Sequence, residues 1–263
     1  MRARENWYTR PANEASSSVH GILTYHSIDH SGSVISIDPA TFRSHVKWLA
    51  SGEVQVTSLE RLHTVPADRH AVAITFDDGL QNFADIAWPL LKQHQMPVTV
   101  FVVTARVGTN NAWGGKEERG IPTLPLMTWN TIRNLVDEGL TLGSHGRTHA
   151  HLRRLDDAAL AEEVRRSADD IQRATAIRPQ SFCFPFGEFD GRAVALVRAN
   201  YDVAVTTELA TVSREPDLHQ LPRLDAYYYR NVGRLEGWGS TSFERYLSLR
   251  RVARNVRRVL VKG

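Results

Sequence analysis

The chain has 263 residues, 42% hydrophobic and 23% charged, with a net charge of +3. That is ordinary for a globular protein and bounds it to one large domain or two small ones. A single cysteine, Cys183, excludes an intramolecular disulfide and fits a reducing compartment. The longest apolar-rich stretch, PVTVFVVTARV, is too short to span a bilayer.

The opening MRARENWYTRPANEASSS has no apolar h-region, so no secretory signal is read. Residues 1–18 are expected to be flexible, and the protein soluble and cytoplasmic. HGILTYH then reads as a buried strand, and DPATFRSHVKWLASG as a helix with Phe42, Val46 and Leu49 on one face. AVAITF is a strand, LQNFADIAWPLLKQHQ a helix with a proline inside, and VTVFVV a strand. The stretch from 105 to 127 is a long Gly-rich loop, of the kind that carries function or disorder. TWNTIRNLVDEG is a Thr-capped helix, LTLGS a strand, and RLDDAALAEEVRRSADDIQRATA one long amphipathic helix. SFCFPF reads as a strand, DGRAVALVRAN as a helix and YDVAVTT as a strand. Short apolar strands alternating with helices mean a parallel sheet, and an unbroken run of about six such units fits one β/α barrel spanning 19–240.

Residues 241–263 hold seven basic residues against Glu244, a balance of +6 that leaves the body at −3. Leu249, Val252, Val256 and Val259 recur at helical spacing with arginines opposite, a basic amphipathic helix. Its stripe either docks on the barrel or lies on an anionic membrane at the inner face. Nucleic acid is not expected as a partner, because the body is slightly acidic.

AVAITF ends in two adjacent aspartates, Asp77 and Asp78. Like charges at contact distance are costly unless a cation lies between them or one is protonated. LTLGSHGRTH supplies His145 and His149, four apart, at another strand end. Two histidines and a carboxylate form a common catalytic zinc set. Alone, a DD pair reads as a solvated turn and HxxxH as a surface coincidence. Together, at strand ends of an alternating β/α chain, they read as a metal site.

TFDDG, SHGRTH and FPFG in this order resemble the three leading motifs of the polysaccharide deacetylases with the NodB-homology domain, over about residues 20–225. Gly146 stands where that family usually has Ser or Thr. The resemblance implies a distorted (β/α)7 barrel and a metal-dependent deacetylase. It implies Asp77 as general base and Asp78, His145 and His149 as metal ligands. Zinc is the default cation, with cobalt or nickel fitting the same donors. The backbone N–H of Phe186 would meet the oxyanion, and Pro185 of the same motif the substrate. The implied substrate is an N-acetylated glycan or a lipid-linked amino sugar, in polysaccharide biosynthesis or modification.

Two family features are absent: Cys183 replaces the third-motif arginine, and no late LxIxH motif appears. The poly-N-acetylglucosamine deacetylases show the same gaps and take their acid from an early Y-H motif. LTYHSID matches it, which makes His26 the expected acid, with His219 in reserve. Arg223 in LPRLD is expected to replace the missing arginine beside Asp77. Trp113, Tyr227 and Tyr228 are candidates for stacking on sugar rings, while Trp129 reads as core. Two alternatives stay open: hydrolysis of a small cyclic amide, or a catalytically silent glycan-binding domain.

Overall fold

The structure is a computed structural model that describes residues 18–262, and not the side chains of Asn255 and residues 257–262. The expected flexible segment therefore lies, except for Ser18, outside the described residues. In chain order the strands and helices are β1 (His20–Tyr25), β2 (Ser27–Ile28), β3 (Ser36–Ile37), α1 (Pro39–Leu49), β4 (Gln55–Thr57), β5 (Ala71–Phe76), α2 (Trp88–Gln93), β6 (Val98–Val102) and α3 (Trp129–Asp137). There follow β7 (Thr141–Ser144), α4 (Asp157–Ala161), α5 (Ser167–Thr175), β8 (Ser181–Cys183), α6 (Gly191–Arg198), β9 (Val203–Leu209), β10 (Leu221–Asp225), α7 (Gly233–Glu236) and α8 (Thr241–Lys262).

Seven parallel strands close a barrel in the order β1-β10-β9-β8-β7-β6-β5, with β5 pairing back onto β1. This is the expected (β/α)7 architecture. The distortion is visible at β5: β4 pairs with Ala71–Ala73 and β6 with Ile74–Phe76, so two strands share one edge. β1 and β5 are buried almost throughout, as strands covered on both faces must be. The helices start on side-chain caps, with Asp38, Thr128, Asp156 and Asp190 accepting backbone N–H groups of the first turns.

Three readings are corrected. LPRLD, which has no continuous apolar run, is a strand, β10. Its Pro222 lacks an N–H, and the pairing with β9 slips between Leu221 and Arg223, where a proline is tolerated. SFCFPF is strand only over Ser181–Cys183, since Pro185–Gly187 turns sharply with Phe186 at φ +58°. Both long helices are interrupted by π turns, Phe83–Ala87 before Pro89 and Glu162–Arg166 between α4 and α5. The first follows from Pro89, which cannot donate to the carbonyl four residues back.

The C-terminal helix is corrected as well. α8 buries Phe243 and Leu247, but Leu249, Val252 and Val256 are 71%, 62% and 53% exposed, so the stripe does not dock on the barrel. Val259 lies outside the described side chains. No helix among the described residues is long and apolar enough to cross a membrane.

Candidate active site

The C-terminal ends of the strands bring the expected residues together. The N–H of Asp77 donates to the Tyr25 carbonyl and that of His145 to the Val102 carbonyl, both at 2.9 Å. The sheet ladder thus runs one residue past β5 and β7 and fixes both groups. Five non-glycine residues have positive φ among those described, and three of them, Asp78 (72°), His149 (62°) and Phe186 (58°), line one cavity. Strain concentrated this way is characteristic of functional sites. The Phe186 turn rests on Gly187, where a Cβ would come within 1.9 Å of Thr207 Oγ1. Only glycine allows that approach.

Arg223 projects from β10 into the barrel and is 2% exposed. Its Nη1 and Nη2 donate to Oδ1 and Oδ2 of Asp77, each at 2.7 Å. Its Nε donates to the Thr206 carbonyl at 2.8 Å, Nη1 also to Thr24 Oγ1 at 2.8 Å, and Nη2 to Cys183 Sγ at 3.1 Å. Burial works to raise the Asp77 carboxyl, but the guanidinium outweighs it and holds the group well below the usual carboxylate range. Asp77 is therefore ionised and held as an acceptor. Burial pushes the Cys183 thiol well up, so it stays a neutral thiol, with its S–H 3.5 Å from Asp77 Oδ2. His26 follows β1, its Nε2 3.7 Å from Asp77 Oδ2 and its side chain 24% exposed.

Asp78 is oriented away from that network. Its Oδ1 lies 3.5 Å from His145 Nε2 and 3.6 Å from His149 Nε2, and has no hydrogen-bond partner. Burial raises its carboxyl and depresses His149 well below the ordinary imidazole value. His145 Nδ1 lies 2.8 Å from the Cys183 carbonyl, which can only accept. That fixes the proton on Nδ1 and leaves the Nε2 lone pair facing Asp78, the arrangement usual behind a metal-ligating imidazole. The Trp113 ring stacks on His149 at 4.3 Å, and the Phe186 ring meets it edge-on at 4.3 Å.

One carboxylate oxygen and two imidazole nitrogens lie close enough together to hold a divalent cation. A second grouping, Asp77, His145 and Cys183, is also compact. It does not fit one, because the Arg223 guanidinium already contacts both Asp77 and Cys183.

The cavity above these groups measures about 180 Å³. It adjoins a groove of about 960 Å³, and Trp113, Glu118, His149 and Phe186 line both. Asn111 shapes the long loop that carries Trp113. Its side chain donates to the Pro122 carbonyl at 3.1 Å and accepts the Leu124 N–H at 2.7 Å.

Several expected residues lie elsewhere. Tyr227 and Tyr228 do not line the cavity, since Arg230 stacks over the first at 4.0 Å and Arg250 lies over the second at 5.6 Å. Pro185 is buried and does not line it either. His219 precedes β10 and bonds the Tyr201 carbonyl at 2.9 Å, at the end of the barrel opposite Asp77, so it cannot serve as the acid. Trp129 packs against the core, as read. The sequence reading missed Asp225, whose carboxyl burial raises against the opposing influence of His26. It also missed Glu163, a buried carboxylate whose signal was present: an acid inside the apolar stripe of Leu160, Val164 and Ala168.

The family model for polysaccharide deacetylases matches residues 64–204, more than half the chain. The chain belongs to the polysaccharide deacetylase family. The enzyme class follows from the family: hydrolysis of carbon–nitrogen bonds other than peptide bonds. The Bacillus subtilis protein YxkH is 25% identical over 209 residues, covering 77% of this chain and 70% of its own. The poly-β-1,6-N-acetyl-D-glucosamine N-deacetylase of Staphylococcus aureus is 20% identical over 206 residues, covering 72% of this chain and 67% of its own. Among solved structures, IcaB from Ammonifex degensii superposes with a TM-score of 0.66 at 19% identity, over 85% of this chain and 98% of that one. That likeness supports the deacetylase barrel fold.

Proposed function

We propose that the protein is a metal-dependent N-deacetylase acting on an amino-sugar glycan, in polysaccharide biosynthesis or modification. One observation carries the reading. Of two adjacent carboxylates, one has both oxygens bound by a buried arginine, and the other offers an unpartnered oxygen to two imidazoles. Asp78, His145 and His149 would hold the cation, zinc by donor type with cobalt or nickel also fitting. When bound, it supplies Lewis acidity: it lowers the pKa of water and polarises an amide carbonyl.

The chain's own residues do the rest. Asp77, kept ionised by Arg223, accepts the proton from the attacking water. The N–H of Phe186, a residue that lines the cavity at positive φ, donates to the oxyanion. His26, within 3.7 Å of Asp77 and partly open to solvent, protonates the departing amine nitrogen. An unprotonated amide nitrogen is a poor leaving group. The groove adjoining the cavity supports a polymeric substrate over a small cyclic amide, and the named substrate of the Staphylococcus aureus relative supports a glucosamine polymer.

Asp77→Asn should lower acetate release from N-acetylated glucosamine oligomers by about 10²–10⁴-fold while zinc content stays at the wild-type level. Parallel loss of zinc and activity would refute the separate roles of the two aspartates. Turnover of a cyclic amide, but of no N-acetyl sugar, would favour the alternative substrate.

A further inference from the structure

Resting on that reading of the cation site, we propose that Glu163 is the positioning residue that shapes the His145–His149 turn for metal binding, by hydrogen-bond geometry. Three residues, Gly146 to Thr148, connect the two histidines, and no regular element holds them. Two successive backbone N–H groups of the turn, those of Arg147 and Thr148, donate to one oxygen, Glu163 Oε2, at 2.7 and 2.9 Å. The Thr148 hydroxyl donates to Oε1 at 2.6 Å. Consecutive N–H groups converging on one anionic oxygen form a concave nest. The turn's carbonyls point the other way: Gly146 accepts from the Thr104 N–H at 3.2 Å and Arg147 from the Ala105 N–H at 2.8 Å. The turn is thus clamped between the Glu163 carboxylate and the loop after β6.

Gly146 completes the clamp. Its φ is +74°, and a Cβ there would stand 3.0 Å from Glu163 Oε2. The residue that departs from the family's Ser or Thr is the one against which the carboxylate packs. Glu163 is 7% exposed and is the second residue of the π turn Glu162–Arg166 between α4 and α5. Four residues on, the buried Ser167 meets Ser144 Oγ to Oγ at 2.7 Å, and Ser144 Oγ accepts the Gly146 N–H at 3.2 Å. One helical face therefore fixes the chain on both sides of His145. The consequence lies at the far end of the turn. His149 sits at φ +62°, and its Nδ1 has no partner to orient the ring. The turn and the flanking Trp113 and Phe186 rings are what aim its Nε2 at Asp78.

Glutamine at 163 keeps an acceptor for the two N–H groups and leaves the Thr148 hydroxyl free to accept from its amide. Alanine removes every contact. Zinc affinity, measured by competition with a chromogenic chelator on folded protein, should weaken about 10–100-fold in Glu163→Ala. It should stay within about threefold of wild type in Glu163→Gln, since the net value of one altered hydrogen bond is small. Thr148→Val, at an exposed side chain, should give a smaller loss than Glu163→Ala and covers the case in which that variant does not fold. Zinc affinity unchanged in both Glu163→Ala and Thr148→Val overturns the inference, as does a loss in Glu163→Gln equal to that in Glu163→Ala. If wild-type protein takes up no zinc, the cation reading itself fails. If it takes up zinc and the variants match it, only the role of Glu163 fails.

Discussion

On one side of the cavity, Asp77 has both oxygens bound at 2.7 Å by a guanidinium whose three nitrogens all donate. On the other, Asp78 presents an oxygen with no hydrogen-bond partner. The two residues are adjacent in sequence and buried alike, at 2% and 6% exposure. What separates them is backbone direction: Asp78 takes φ +72°, which turns its side chain toward the loop after β7. Burial alone therefore does not define a site. A buried carboxylate paired with a guanidinium is satisfied as it stands, and one with an unpartnered oxygen offers its lone pairs to a cation.

The largest effect should come from breaking the satisfied side. Arg223→Met leaves Asp77 buried without its partner, which costs about 3–5 kcal/mol of folding stability and about 10²–10⁴-fold in turnover. The pH dependence has a definite sign. The folded carboxyl is depressed, so its contribution is fully present above the ordinary carboxylate pKa of about 3.9 and is lost as pH falls through the lower folded value. The stability gap between wild type and Arg223→Met, read from urea melts, should therefore be full at pH 7 and narrow only in strong acid. An equal gap at all pH values would mean that Arg223 stabilises by packing and not by charge.

A smaller effect should appear at a satisfied group outside the site. His45 is buried on α1, its Nε2–H donating to the Tyr229 carbonyl at 2.8 Å and its Nδ1 accepting from the Tyr25 hydroxyl at 3.0 Å. Burial lowers it to about 4. The unfolded chain takes up this proton near pH 6.5 and the folded chain near 4, so the contribution is full above 6.5 and falls away between those values. His45→Gln should flatten that part of the stability curve by up to about 3 kcal/mol. An unchanged slope between pH 6.5 and 4 would place the acid sensitivity in other groups.

Much of the barrel was legible because its strands are uniformly apolar and its helices carry cap residues. β10 was not, because Arg223 and Pro222 interrupt the apolar run. They are the residues the site and the sheet slip require there. Asp77, Asp78, His145, His149 and His26 were placed together through motif spacing, and Arg223 was found as a cation near a gap. Tyr227 and Tyr228 were misplaced because sequence gives proximity to a strand end and not the direction of a ring. Glu163 was passed over because a helix rich in Glu and Arg hides one acid on its buried face.

The smallest expected change in metal-free stability tests the comparison most directly, through the same substitution at the neighbouring position. Asp77→Asn strands the Arg223 charge and should cost about 3–5 kcal/mol. Asp78→Asn removes a carboxylate whose Oδ1 is unpartnered and whose ionisation burial already opposes. In the presence of a chelator it should change stability by less than about 1 kcal/mol. The two variants should then exchange ranks on adding zinc. Wild type and Asp77→Asn gain stability from a ligand that binds only the folded state, and Asp78→Asn gains none. Thermal melts of the three proteins with chelator and with zinc resolve all six cases. A zinc-dependent gain in Asp78→Asn would move the cation away from this trio. A large cost of Asp78→Asn in chelator would mean that its oxygen is satisfied in the folded protein after all.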